Sequence, residues 1–181
     1  MLFLALLLRE RLSLVEAVVR RVGEGEATLQ QLFKVSALAV FARPLLKAVL
    51  QRDLAVIGKL VHTLGAQHLQ TARAEGFSRY LDALRRAGLV WSDRTLGAQL
   101  YQVSATFMGF LTLEPGFPEG RVPDAEVQAD LLAETLGRAL SPLEPPSAEA
   151  AEIAAAALQA YLRTELTLVH EHISAFEEVA R

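Results

Sequence analysis

Apolar residues recur every three or four positions along nearly the whole 181-residue chain. This spacing places them on one side of an α-helix, whereas a half-buried strand needs strict alternation of apolar and polar residues. Glycine, proline and capping residues interrupt the pattern at intervals, and the sequence contains no internal repeat. We therefore predict an all-α fold, a helical bundle of about eight or nine helices.

The expected helices lie between these interruptions. Thr28, Asp53, Asp124 and Ser147 are predicted N-caps, because short polar side chains there accept a hydrogen bond from the first helical turn. Helices are expected over 2–22, 28–43, 45–52, 54–69, 77–87, 95–113, 124–140 and 147–181. Residues 1–140 form the expected domain, and 147–181 an additional amphipathic helix packed on it.

The amino-acid composition favours some classes of function and excludes others. Apolar residues make up 52% of the chain, a high share beside 22% charged residues, which favours apolar surface covered by a partner subunit or a ligand. The net charge of −3 offers no basic field for nucleic acid. Cysteine is absent, which excludes disulfides, thiolate metal sites and a cysteine nucleophile.

Neither apolar run predicts a membrane segment. Leu2–Leu8 is too short to span a bilayer, and the positive charge of Arg9 follows it instead of preceding it, unlike a secretion signal. Thr95–Leu113 is long and uncharged, but it carries amide side chains that lipid would leave unpaired. We expect a cytoplasmic protein with no membrane contact.

The uncharged helix within 95–113 divides into three stripes on a helical wheel. One stripe is apolar, one carries Gln99, Gln102 and Thr106, and one consists mostly of small residues that permit close helix approach. Since no stripe is charged, we expect this helix to be buried on all sides. The small stripe includes Gly97, Ala105, Met108, Gly109 and Thr112.

Patterns typical of enzymes are missing from the sequence. No histidine follows a glutamate by three residues as a di-iron bundle requires, and His170 and His172 point to nearly opposite sides of a helix. No Gly-x-Ser-x-Gly or phosphate-binding loop occurs. We expect no catalysis, no metal and no cofactor.

Polar residues on otherwise apolar helices leave two alternatives open. They are either satisfied core or interface groups, or the few polar anchors of an apolar ligand pocket. For the second alternative, the expected ligand-binding residues are Phe33, Phe41, His62, Tyr101, Gln102, Thr106 and Phe107.

The order of segments resembles the C-terminal regulatory domain of tetracycline-repressor-type (TetR-type) transcriptional regulators. FLALLLRERLSLVEAVVRRV is similar to the helix that follows the family's helix-turn-helix. FSRYLDALRRAGLVWSDRTLGAQLYQVSATFMGFL and PDAEVQADLLAETLGRAL are similar to the segments leading to and forming the dimer interface. The resemblance covers essentially the whole chain, with 147–181 as an extra helix that some members carry.

The resemblance implies a small-molecule-sensing module that forms a homodimer and binds a small, apolar effector. It also implies that the uncharged helix and a later helix form the dimer interface, which suits the small stripe of Gly97, Ala105, Met108, Gly109 and Thr112. The family's DNA-reading helices would precede Leu2, so we expect no specific DNA binding by this chain alone. We interpret the apolar start as surface that this DNA-binding domain covered, with Met1 an internal or engineered start. The alternative is a stand-alone helical carrier or protein-interaction module. The sequence identifies neither ligand nor operator.

Overall fold

A computed structural model describes residues 2–23, 28–44, 46–47, 66–113, 116–118, 120–142 and 144–179. These residues form six helices and no strand, which confirms the all-α class. The predicted number of eight or nine helices is not confirmed, because most of 45–65 lies outside the described residues. The helices are α1 Leu2–Gly23, α2 Leu29–Phe41, α3 Ala66–Arg86, α4 Leu96–Thr112, α5 Ala125–Leu140 and α6 Ala148–Val179.

Three of the predicted N-caps are confirmed. The side-chain oxygens of Thr28, Asp124 and Ser147 accept hydrogen bonds from the backbone N–H three residues later, at 3.1, 2.9 and 3.2 Å respectively. Each bond satisfies one of the N–H groups that a helix start leaves without an intrahelical partner. Thr95 caps α4 in the same way, while Asp53 lies outside the described residues.

The boundary predicted between helices 54–69 and 77–87 is wrong, because α3 runs without interruption from Ala66 to Arg86. Gly76, a poor helix former, lies inside it. The glycine is buried, and a Cβ there would lie 3.8 Å from the ring of Tyr161 on α6. Tertiary packing against α6 therefore outweighs the local preference of glycine.

The packing order positions the functional features described below. Helix α2 packs on α1 and α5, α6 packs on α1 and α3, and α4 contacts α3 and α5. The core lies where these helices meet and includes Leu81, Leu132, Leu136 and Leu140, each fully buried. No helix among the described residues is long and apolar enough to span a membrane.

Two polar links hold α2 to its neighbours. Lys34 Nζ lies 2.5 Å from a carboxylate oxygen of Asp130 on α5, and this partner raises the pKa of Lys34. Arg43, just after α2, donates through Nη2 to the backbone oxygen of Ser13 on α1 at 2.6 Å. Both links lie at the margin of the core, so they orient helices that apolar burial holds together.

Candidate functional site

Four aromatic rings meet where α2, α3 and α6 approach one another. Phe33 of α2 contacts Phe77 of α3, with ring centroids 6.3 Å apart. Tyr80, one turn further along α3, stacks on Tyr161 of α6 at 5.5 Å and 14°. Phe77 meets Tyr161 edge-on at 5.8 Å. We call this group, with the neighbouring Glu165, the aromatic site.

The hydroxyl of Tyr80 is the unusual group of the aromatic site. Tyr80 is 2% exposed, and its oxygen has no hydrogen-bond partner among the described residues. Burial, helped by the proximity of Tyr161, raises the pKa of Tyr80, so the group stays a neutral O–H donor. A buried donor without an acceptor costs free energy, and most native proteins avoid it.

Glu165 brings a carboxylate to the same place. It lies one turn after Tyr161 on α6 and is 4% exposed. Its Oε1 is 3.9 Å from the position that a Cβ on Gly76 would occupy, so the missing side chain of Gly76 leaves methyl-sized room between α3, Glu165 and Tyr161. Glu165 and Tyr161 each have an interaction partner.

Of the residues expected to bind a ligand, Phe33 lies in the aromatic site. Phe41 and Phe107 are half-buried and pack against the same core, and Phe41 also faces Lys47, whose Nζ is 5.6 Å from the ring centroid. Thr106 is half-buried on α4.

The other predicted ligand contacts lie elsewhere. Gln102 accepts a hydrogen bond from Arg94 Nη1 at 3.1 Å, close to the surface. Tyr101 is 77% exposed on α4, directed away from the core. His62 lies outside the described residues.

The sequence prediction missed Tyr80 and Glu165. One signal was available: Leu158, Leu162 and Val169 form the apolar stripe of α6, and Glu165 falls on that stripe. An acidic residue on a buried stripe indicates a special environment. Tyr80 gave no comparable signal, since a tyrosine at helical spacing is ordinarily core.

A second feature is the outward face of α4. The expectation that this helix is buried on all sides is wrong for the single chain, where Gln99, Val103 and Leu111 are its buried residues. The uncharged face made by Gly97, Tyr101, Ala105, Gly109 and Thr112 is exposed, with Met108 half-buried beside it. The uncharged outward face of this helix is therefore exposed in the single chain and is not a second buried side.

A buried glutamine connects the ends of α3 and α4. Gln99 is 1% exposed; its Nε2 donates to the backbone oxygen of Trp91 at 2.6 Å, and its Oε1 accepts from Arg85 Nη1. Arg85 Nη1 also donates to the backbone oxygen of Arg94 at 2.9 Å. We call these bonds the Gln99 latch. They join the C-terminal turn of α3, the following loop and the first turn of α4.

No family model, curated protein or solved structure matches this chain. The resemblance to TetR-type regulators therefore stays a prediction from the sequence. Among the described residues, no group of three or more histidine, aspartate or glutamate side chains is placed to hold a metal ion.

Proposed function

We propose that this chain is the small-molecule-sensing and dimerisation module of a TetR-type transcriptional regulator. The observation that carries the proposal is the Tyr80 hydroxyl, which is buried in the aromatic site without an acceptor among the described residues. Ligand sites combine apolar and aromatic walls with a few polar groups that fix orientation. A hydroxyl to which the described part of the chain offers no acceptor is suited to a ligand that supplies one.

The partner of the proposed homodimer docks on the outward face of α4. Tyr101, 77% exposed among small residues, is the kind of aromatic anchor that contributes most at interfaces. Helix α5, which packs on α4, leaves Val127 and Leu131 exposed, at 45% and 43%. Two copies that join α4 and α5 to their counterparts bury these apolar groups in a self-complementary bundle.

The sensing proposal is tested by thermal unfolding of the purified chain with a library of small apolar compounds. A compound that binds only the folded state raises the melting temperature with concentration. If no compound does so, the sensor function fails, and a helical interaction module becomes the better description. We expect no sequence-specific retention of duplex DNA by the chain alone, which a salt titration on an immobilised operator library checks.

The dimer proposal is tested by sedimentation of two matched variants. Ala105→Glu places a charge on the outward face of α4, and it should produce monomers at micromolar concentration. Ala156→Glu makes the same change at an exposed position of α6, and it should leave the dimer intact. Gly109→Leu should also weaken association without unfolding the protomer, because a Cβ on Gly109 meets no described atom within 4 Å. A wild-type monomer at that concentration would end the proposal.

A further inference from the structure

Resting on the proposed homodimer, we infer that the Gln99 latch positions the docking face, the exposed sides of α4 and α5 where the second copy docks. Through Trp91 the latch ties the first turn of α4 to the end of α5, and when it opens, the docking face loses its shape. Gln99 is 1% exposed and therefore cannot contact a partner itself. It acts on association through the placement of its exposed neighbours Gly97 and Tyr101.

Few buried groups hold helix α4 to the protomer. Its buried residues are Gln99, Val103 and Leu111, whereas α5, which is of nearly the same length, buries six residues. Within residues 96–102, Gln99 is the only buried one. Segments with little apolar burial open at a lower free energy than the rest of a fold. The polar bonds of Gln99 therefore decide how often this end of α4 detaches.

One residue of the connecting loop joins α4 to α5. The N–H of Trp91 donates to the backbone oxygen of Leu140, the last residue of α5, at 2.7 Å. The oxygen of Trp91 accepts from Gln99 Nε2 at 2.6 Å. Leu140 is fully buried, so these bonds are anchored in the core. Because α4 and α5 both contribute to the docking face, the bonds fix the placement of its two halves relative to each other.

A glutamine suits this position because its amide is both a donor and an acceptor. Nε2 donates to Trp91, and Oε1 accepts from Arg85 Nη1. A glutamate, ionised at neutral pH, keeps an acceptor for Arg85 but turns its second oxygen toward the Trp91 carbonyl, which repels it. A leucine makes neither bond. Gln99→Glu therefore breaks the link to α5 alone, and Gln99→Leu breaks both links.

The first experiment measures association of the full chain by sedimentation over a dilution series. Gln99→Leu and Gln99→Glu should each raise the dimer dissociation constant by about tenfold or more, the usual effect of losing one buried hydrogen bond. The matched control, Gln102→Leu, removes a half-buried amide that is bound to the exposed Arg94 on the same side of the chain's surface. It should change the dissociation constant by less than about threefold.

The second experiment measures hydrogen exchange of backbone amides in Ala105→Glu monomers, where dissociation does not contribute. The amides of residues 99–103 should exchange at least about tenfold faster than those of 132–136 in α5, because α4 opens before the rest of the protomer unfolds. Gln99→Leu should speed exchange at 99–103 by about a further tenfold. Val35→Ala creates a cavity at a buried position of α2 and destabilises the whole protomer, but it should leave exchange at 99–103 within about twofold.

Contrary outcomes separate this inference from the proposed dimer. If the wild type is a dimer and Gln99→Leu leaves its dissociation constant within about twofold, the inference fails and the dimer stands. Equal exchange rates at 99–103 and 132–136 have the same meaning. If Val35→Ala weakens the dimer as much as Gln99→Leu does, the effect belongs to protomer stability, and the inference fails again. A wild-type monomer, or an Ala105→Glu dimer, refutes the docking face and the inference together.

Discussion

Replacing Tyr80 by phenylalanine should stabilise the ligand-free protein, although most substitutions of buried residues destabilise. The change removes a hydroxyl with no partner among the described residues and keeps the ring stacked on Tyr161 at 5.5 Å. An unsatisfied buried polar group destabilises the fold by about 1–3 kcal/mol, so removing it stabilises the fold. The loss of the oxygen's packing contacts offsets part of this gain. The net expectation is a gain of about 1 kcal/mol in the free energy of unfolding.

Urea and thermal unfolding measure this effect directly. For a domain of this size, about 1 kcal/mol raises the melting temperature by roughly 2–4 °C. Removing a hydroxyl that has a good hydrogen-bond partner would instead lower the free energy of unfolding. Destabilisation of Tyr80→Phe by about 1 kcal/mol or more would therefore refute the orphaned donor and the ligand site built on it.

Three further outcomes follow from the same structure. Burial raises the pKa of Tyr80, so the unfolded chain loses the phenolic proton at a lower pH than the folded chain does. The free energy of unfolding should therefore fall as pH rises above 10. In unfolding measured against pH, Tyr80→Phe should flatten that fall. Gln99→Leu leaves the Trp91 carbonyl without its donor and should lower the free energy of unfolding in urea by about 2 kcal/mol. The control Gln102→Leu should lower it by less than about 0.5 kcal/mol. Equal effects would contradict the Gln99 latch. Lys34→Met removes a half-exposed ion pair and should cost under about 1 kcal/mol in the free energy of unfolding. The difference from the wild type should shrink in about 0.5 M salt, where the Debye length is only about 4 Å.

The features that the sequence predicted correctly depend on interactions between residues close together in the chain. Thr28, Asp124 and Ser147 mark helix starts because a cap depends on a side chain and the backbone three residues away. The helical spacing of apolar residues likewise depends on neighbours along the chain, and it gave the all-α class. Information of this kind is contained in a window of a few residues.

Contacts between helices explain what the sequence did not reveal. The boundary predicted before residue 77 is absent because α3 continues through Gly76, which packs against α6. An uncharged helix likewise does not disclose which of its faces the protomer covers. The aromatic site has the same origin. Tyr80 and Tyr161 are 81 positions apart by their numbers, and neither indicates a site until α3 and α6 bring their rings together.

The proposed sensor needs a path from the aromatic site to the dimer face, and α3 supplies its first part. Tyr80 and Arg85 lie on this one helix, about 7.5 Å apart along its axis. Arg85 belongs to the Gln99 latch, so under the proposed function a ligand that displaces α3 would also displace the first turn of α4, next to Gly97 and Tyr101. Hydrogen bonds weaken steeply with misalignment, and Gln99, which is 1% exposed, cannot bond to water instead. Under the proposed function, a movement of α3 would therefore be transmitted through the latch or would break it, and either response would change the α4 face on which we propose that a second copy docks.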